Sequence, residues 1–173
     1  MFFFVYKKKN IYVLYNGFNY PSKFYPNKFP YNQYILYVSH FHKYKNFEIL
    51  IQSFALASKG LDKQTKLVLI GDIFDQKYHK RLLDLVNSLK ITNKVIFIHN
   101  VNYNDIHSYY RQCTLFVYCS LIENCPNILL EAISHQCNII CIDKYPMKEF
   151  IVNKQRLFSP HSTDKLVKLI THN

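Results

Sequence analysis

Five runs of four or five mostly apolar residues punctuate this chain: YILYV (34–38), KLVLI (66–70), VIFI (95–98), LFVY (115–118) and NIICI (138–142). Runs this short and this rich in β-branched and aromatic residues read as strands buried on both faces. Between them, apolar residues fall at helical spacing. Phe47, Leu50, Ile51, Phe54 and Ala55 form one stripe, with Asn46 read as its cap, and Leu82, Leu85, Val86 and Leu89 form a second. Ile106, Tyr109, Tyr110 and Cys113 form a third, and a last helix is expected over 163–170. Strands alternating with amphipathic helices predict an α/β domain built on a Rossmann-like, doubly wound parallel sheet. Such sheets bind ligands beyond the carboxyl ends of their strands. The informative loops are therefore SHFHKYKN, GD, HNVN and CSLIENCPN, and Gly71 is read as the residue that lets the chain turn after the second strand.

The chain of 173 residues is the size of one domain. Residues 1–33 read as an opening segment with one strand-like run, NIYVLYNG, then a connection through Pro21, Pro26 and Pro30; residues 34–173 read as the Rossmann-like domain. Lys and Arg exceed the acids by 22 to 11, and this +11 charge favours anionic partners. The lysines are dispersed, so nucleic acid is not expected among them, whereas peripheral contact with an anionic membrane face is. No run reaches the ~18 apolar residues of a membrane span. The opening MFFFVYKKKN places its lysines after its apolar residues, the reverse of a secretion signal, so a cytoplasmic location is expected.

Five cysteines without a CxxC pair suit reduced thiols. Cys119, Cys137 and Cys141 read as small core residues, with a reactive Cys125 at a helix start as a lesser alternative. No metal site is expected, because the histidines do not stand at ligand spacing beside the cysteines, and His79, His107, His161 and His172 read as surface residues. The only glycines are Gly17, Gly60 and Gly71, so neither GxGxxG nor GxxxxGK[ST] is present.

The stretch LFVYCSLIENCPNILLEA carries the chemistry. It reads as strand, loop and helix, with Pro126 at the first helical position and open N–H groups at Asn127, Ile128 and Leu129, a place for an anion such as a phosphate. Glu131 lies four residues after Asn127 on the same helical face, and Pro126 to Glu131 spans roughly 7.5 Å. One ligand with a phosphate at the helix tip and a diol further along fits that spacing. Glu123, in the loop before the helix, faces whatever lies beyond the phosphate. The plainer alternative is a loop glutamate and a solvated helix glutamate.

In order, VLYNG, SHFHKYKN, LVLIGD, VIFIHNV, LFVYCSLIENCPNILLEAISHQCNIICID and YPMKEFI resemble the C-terminal half of retaining glycosyltransferases of the group 1 (family 4) type, which have the GT-B fold. The resemblance covers roughly residues 11–170 and is most specific at ENCPNILLEA. It implies transfer of a sugar from a nucleotide diphosphate sugar, such as a UDP- or GDP-sugar, to a glycan or lipid-linked acceptor, with no cofactor and no metal. It implies that Glu131 holds the ribose hydroxyls and that Glu123 faces the sugar as the catalytic or donor-orienting carboxylate. Asn127, Ile128 and Leu129 would take the diphosphate, Lys45 would neutralise it as it leaves, and His99, Asn100 and Val101 would hold the base through the main chain, beside Gly71. Glu149 matches a frequent acidic position near the donor.

His40 stands where the family usually has arginine, and an imidazole cannot grip a phosphate with a fork of donors. The family also places an acceptor-binding domain before this one, which is expected here from a separate subunit or from a longer protein. The competing expectation is a remnant or scaffold that keeps the fold without transfer.

Overall fold

The computed structural model describes residues 16, 17 and 29–173. The strand expected in the first 33 residues lies outside the described ones. From Tyr34 onward the chain runs β1 (Tyr34–Val38), α1 (Phe47–Ala57), β2 (Lys66–Ile70), α2 (Gln76–Ser88), β3 (Val95–Ile98), α3 (Tyr103–Gln112), β4 (Leu115–Tyr118), α4 (Asn127–Ser134), β5 (Ile139–Ile142), β6 (Leu157–Phe158) and α5 (Thr163–Thr171). All six strands are parallel and lie in the order β3-β2-β1-β4-β5-β6. The five strands expected from the apolar runs are all present. β6 was not expected, since two residues are too few to show a pattern.

The strand order reverses between β1 and β4, so β1 pairs with β2 on one side and β4 on the other: Ile35 stands opposite both Leu67 and Leu115. Right-handed crossovers then put α1 and α2 on one face and α3 and α4 on the other. Burial follows. Every residue of β1 and β4 is buried, and Phe47, Leu50, Ile51 and Phe54 of α1 are fully covered, each burial stabilising by about 1.5–3 kcal/mol. α1 packs on α5 as well as on the sheet.

Two local readings need correction. Asn46 makes no side-chain cap; it has φ 56° and closes the 3-10 turn Lys43–Lys45 with its N–H on the Lys43 carbonyl at 3.1 Å. Asparagine is among the few residues at ease in that left-handed region. Gly71 is required by proximity: a Cβ there would stand 1.9 Å from the Ser39 carbonyl oxygen, because the ends of β1 and β2 run together through Ser39 N–H on Ile70 O and Phe41 N–H on Asp72 O, both 2.9 Å.

Candidate functional site

In a parallel sheet all strands end on one edge, and the loops that follow β1 and β4 face each other across the point where the order reverses. Lys45 from the first loop and Glu123 from the second meet there, Nζ to Oε1 at 2.6 Å, with side chains 10% and 14% exposed. Tyr118, the last residue of β4, donates its hydroxyl to the same Oε1 at 2.9 Å. Tyr37 donates to the Lys45 carbonyl at 2.9 Å, and the Leu121 N–H donates to the Tyr44 carbonyl at 2.8 Å, which staples the two loops together. The sequence assigned Lys45 to a diphosphate and Glu123 to a sugar; the structure brings the two side chains onto each other.

Glu131 has a different setting. It lies on α4 facing α3, where the Tyr110 hydroxyl donates to its Oε2 at 2.9 Å. Burial pushes the Glu131 carboxyl above the usual carboxylate range, and the hydrogen bond from Tyr110 works against that rise. Burial, then the neighbouring Glu131, hold the Tyr110 phenol well above its ordinary value, so it stays a donor. Glu131 borders a cavity of about 230 Å³ at the carboxyl edge, together with His40, Gly71, Val101, Tyr103 and Ile128. Five of the residues singled out from sequence thus share one concavity. A second cavity of about 410 Å³ lies against Glu131, Tyr103 and Asn127. A half-buried carboxylate with one oxygen taken by a phenol retains acceptor capacity for a pair of hydroxyl donors.

The helix tip departs from expectation. α4 begins at Asn127, and Pro126 is the capping residue before it, with φ −82° and ψ 67°. The Asn127 N–H bonds the Cys125 carbonyl at 2.9 Å and the Leu129 N–H bonds the Pro126 carbonyl at 2.9 Å. Among the described residues, Ile128 alone of these three has an N–H without such a bond, and it borders the smaller cavity. The kinked entry through Pro126 folds two of the three expected donors back onto the loop.

His40 is exposed, its ring edge-on to Phe74 at 4.6 Å. Asn100 is exposed with φ 54°, and this left-handed residue carries the chain from β3 towards Val101. The neighbouring His99 ring joins the same corner, Nδ1 to the Gly71 carbonyl at 2.9 Å. Glu149 falls in a 3-10 turn (Met147–Phe150) and borders a different cavity with Asp143 and Lys154.

His79 and His107 are buried, contrary to the surface reading. His79 packs its ring against Phe41, Phe97 and His99, while His107 places Nδ1 3.1 Å from Nε2 of His135. Both are held below the ordinary histidine value by burial, then by the neighbouring imidazole. Sequence reasoning also missed Tyr110 and Tyr118 as site residues, having placed the first in an apolar helix stripe and the second in a buried strand. The available signal was a phenol ending the apolar run LFVY, whose hydroxyl needs a partner once buried.

Comparison with known proteins decides the family. The model of the glycosyl transferases group 1 matches residues 22–172. The chain belongs to that family. An N-acetylgalactosamine-N,N'-diacetylbacillosaminyl-diphospho-undecaprenol 4-alpha-N-acetylgalactosaminyltransferase of Campylobacter jejuni is 29% identical over 112 residues, 65% of this chain and 28% of the relative. An uncharacterised glycosyltransferase of Haemophilus influenzae is 28% identical over 141 residues, 79% of this chain and 38% of the relative. This group 1 chain thus spans about a third of the length of the curated relatives it matches. Among solved structures, the C-terminal domain of the group 1 family protein LpcC from Francisella tularensis superimposes with TM-score 0.69 at 25% identity, covering 83% of this chain and 73% of that one. Anabaena HepE in complex with UDP-glucose superimposes with TM-score 0.69 at 22% identity, covering 83% and 39%. The fold is that of a GT-B C-terminal domain.

Proposed function

We propose that this domain is the donor-binding half of a retaining glycosyltransferase, which moves a sugar from a nucleotide diphosphate sugar to a glycan or lipid-linked acceptor. The observation that carries the reading is Glu131, a carboxylate held by Tyr110 beside a cavity shared with His40, Gly71, Val101 and Ile128. Glu131 accepts the two ribose hydroxyls, and the main chain from Asn100 to Val101 meets the base. Ile128 supplies the helix-tip N–H, with Asn127 and Leu129 shaping the turn around it. The UDP and UDP-glucose complexes of HepE support the nucleotide-sugar donor, and the diphospho-undecaprenol in the name of the Campylobacter relative supports a lipid-linked acceptor.

Lys45 stabilises the diphosphate as its bond to the sugar breaks, where negative charge develops. An ammonium has three donors, so Lys45 can keep Glu123 and still offer a proton to a phosphate oxygen. Glu123, fixed by Lys45 and Tyr118, orients the sugar. Charge compensation comes from these groups without a metal or cofactor. An acceptor-binding domain, in the same protein or a partner subunit, completes the cleft and shields it from water. Among the described residues no helix is long and apolar enough to cross a membrane; we place the domain on the cytoplasmic side, with its basic surface against the membrane.

Calorimetric titration with UDP, GDP and ADP tests the reading. One nucleotide should bind with a dissociation constant near ~0.1 mM, about 5.5 kcal/mol, and binding should be lost in Glu131→Ala. Equal binding by wild type and Glu131→Ala would sink it.

A further inference from the structure

The sequence reading left the cysteines as reduced, unpaired thiols, yet two of them converge. Cys113 ends α3 in extended backbone, and Cys137 follows Gln136, whose φ of 57° turns the chain out of α4. Their sulfurs stand 3.9 Å apart. Both thiols point at one acceptor, the Tyr110 carbonyl, at 3.2 Å from Cys113 and 3.1 Å from Cys137. The two residues lie at the entrances of β4 and β5, which are paired neighbours, and adjacent strands run ~4.8 Å apart, inside the Cα separations that disulfides span. Neither is fully buried, whereas Cys119 and Cys141 are. Partial exposure leaves this pair more open to an oxidant than the core thiols, and Cys125 shares that exposure.

We propose that Cys113 and Cys137 form a reversible disulfide that acts on the Glu131 site through Tyr110. With oxidised glutathione as oxidant, the first thiolate attacks the disulfide, forms a mixed disulfide and releases one glutathione thiolate. The second cysteine then displaces the other glutathione. Two protein S–H bonds become one S–S bond, the two protons pass to solvent or glutathione, and glutathione takes the two electrons. The sulfurs close by about 1.9 Å to bonding distance, and the Tyr110 carbonyl loses both S–H donors. Tyr110 is the residue whose hydroxyl holds Glu131, so the last turn of α3 shifts against α4 and the carboxylate loses its fixed geometry. This output rests on the donor-site reading above; the bond itself does not.

The experiment treats the purified chain with oxidised glutathione, counts thiols, maps peptides and then titrates UDP into reduced and oxidised protein. Two of the five free thiols should be lost to one Cys113–Cys137 peptide that dithiothreitol releases, any glutathione adduct at Cys125 being mapped and counted separately. UDP affinity should fall at least threefold on oxidation and recover on reduction, and neither change should occur in Cys113→Ser or Cys137→Ser. Absence of the linked peptide in the native protein overturns the redox pair. A linked peptide with unchanged UDP affinity overturns the switch. If the reduced protein itself fails to bind UDP, GDP or ADP, the donor reading falls and the switch with it, while the mapped bond stands.

Discussion

The two glutamates of ENCPNILLE stand eight residues apart and live in opposite electrostatic settings. Glu123 is charge-paired: its Oε1 meets an ammonium at 2.6 Å and a phenol at 2.9 Å. Glu131, among the described residues, is held by the Tyr110 phenol, and burial raises its pKa. A carboxylate matched by a cation holds two loops together and keeps only its second oxygen for a sugar, whereas one held by a neutral donor keeps an unmatched charge and its remaining lone pairs for a ligand. Type and spacing of residues are alike in both; the partner delivered by the fold separates their tasks.

Removing the cation should have the largest effect. Lys45→Ala leaves Glu123 charged and largely enclosed, and breaking such a pair costs about 3–5 kcal/mol. Denaturant midpoints should show that loss, and the double change Lys45→Met with Glu123→Gln should recover most of it. Recovery of nothing would mean the lysine stem, not the charge pair, holds the loops.

Next comes the other carboxylate. Glu131→Gln keeps an acceptor for Tyr110 and should move the midpoint by less than ~1 kcal/mol, while UDP binding weakens about ten- to hundredfold as charged hydrogen bonds are lost. A large stability loss with unchanged binding would erase the distinction between the two glutamates.

Tyr110→Phe should cost about 1 kcal/mol and remove the bond that lowers the Glu131 pKa. On the proposed reading Glu131 holds the ribose as the ionised carboxylate, so affinity should fall as pH drops through that pKa. In the phenylalanine variant this loss should begin at higher pH, as measured by titration against Glu131→Gln, which carries no such limb.

The smallest effect is shared by the buried histidines. His79, His107 and His135 are held below the ordinary value by burial first. Below about pH 6.5 the unfolded chain takes up protons that the folded one refuses. Stability should therefore decline as pH falls from there towards the depressed folded values, and be unaffected by these groups above it. Urea midpoints between pH 7.5 and 5, flattened in His79→Phe, check the sign.

Periodicity made the sheet legible: the runs around Leu36, Val68, Ile96, Val117 and Ile140 each became a strand because continuous apolar residues of that length leave few alternatives. β6 escaped, as two residues carry no period. At the site, sequence brought His40, Gly71, Val101, Ile128 and Glu131 to one cavity because all lie at strand ends or one helix start. It could not supply the Lys45–Glu123 contact, which joins residues 78 apart, nor the fate of the Asn127 and Leu129 N–H groups, which depends on the dihedral angles of Pro126. Burial of His79 and His107 had a local signal that residue type obscured: each stands three residues before a buried member of its helix stripe, Leu82 and Tyr110.

The register between β1 and β4 holds only two residue pairs, Ile35 with Leu115 and Leu36 with Phe116, against five between β1 and β2. The sheet is thus two blades joined by a short seam, and Lys45 and Glu123 sit above its open end as a rivet. A diphosphate that recruits Lys45 bears on this short join, so occupancy of the site should be felt as slower amide exchange in both blades at once.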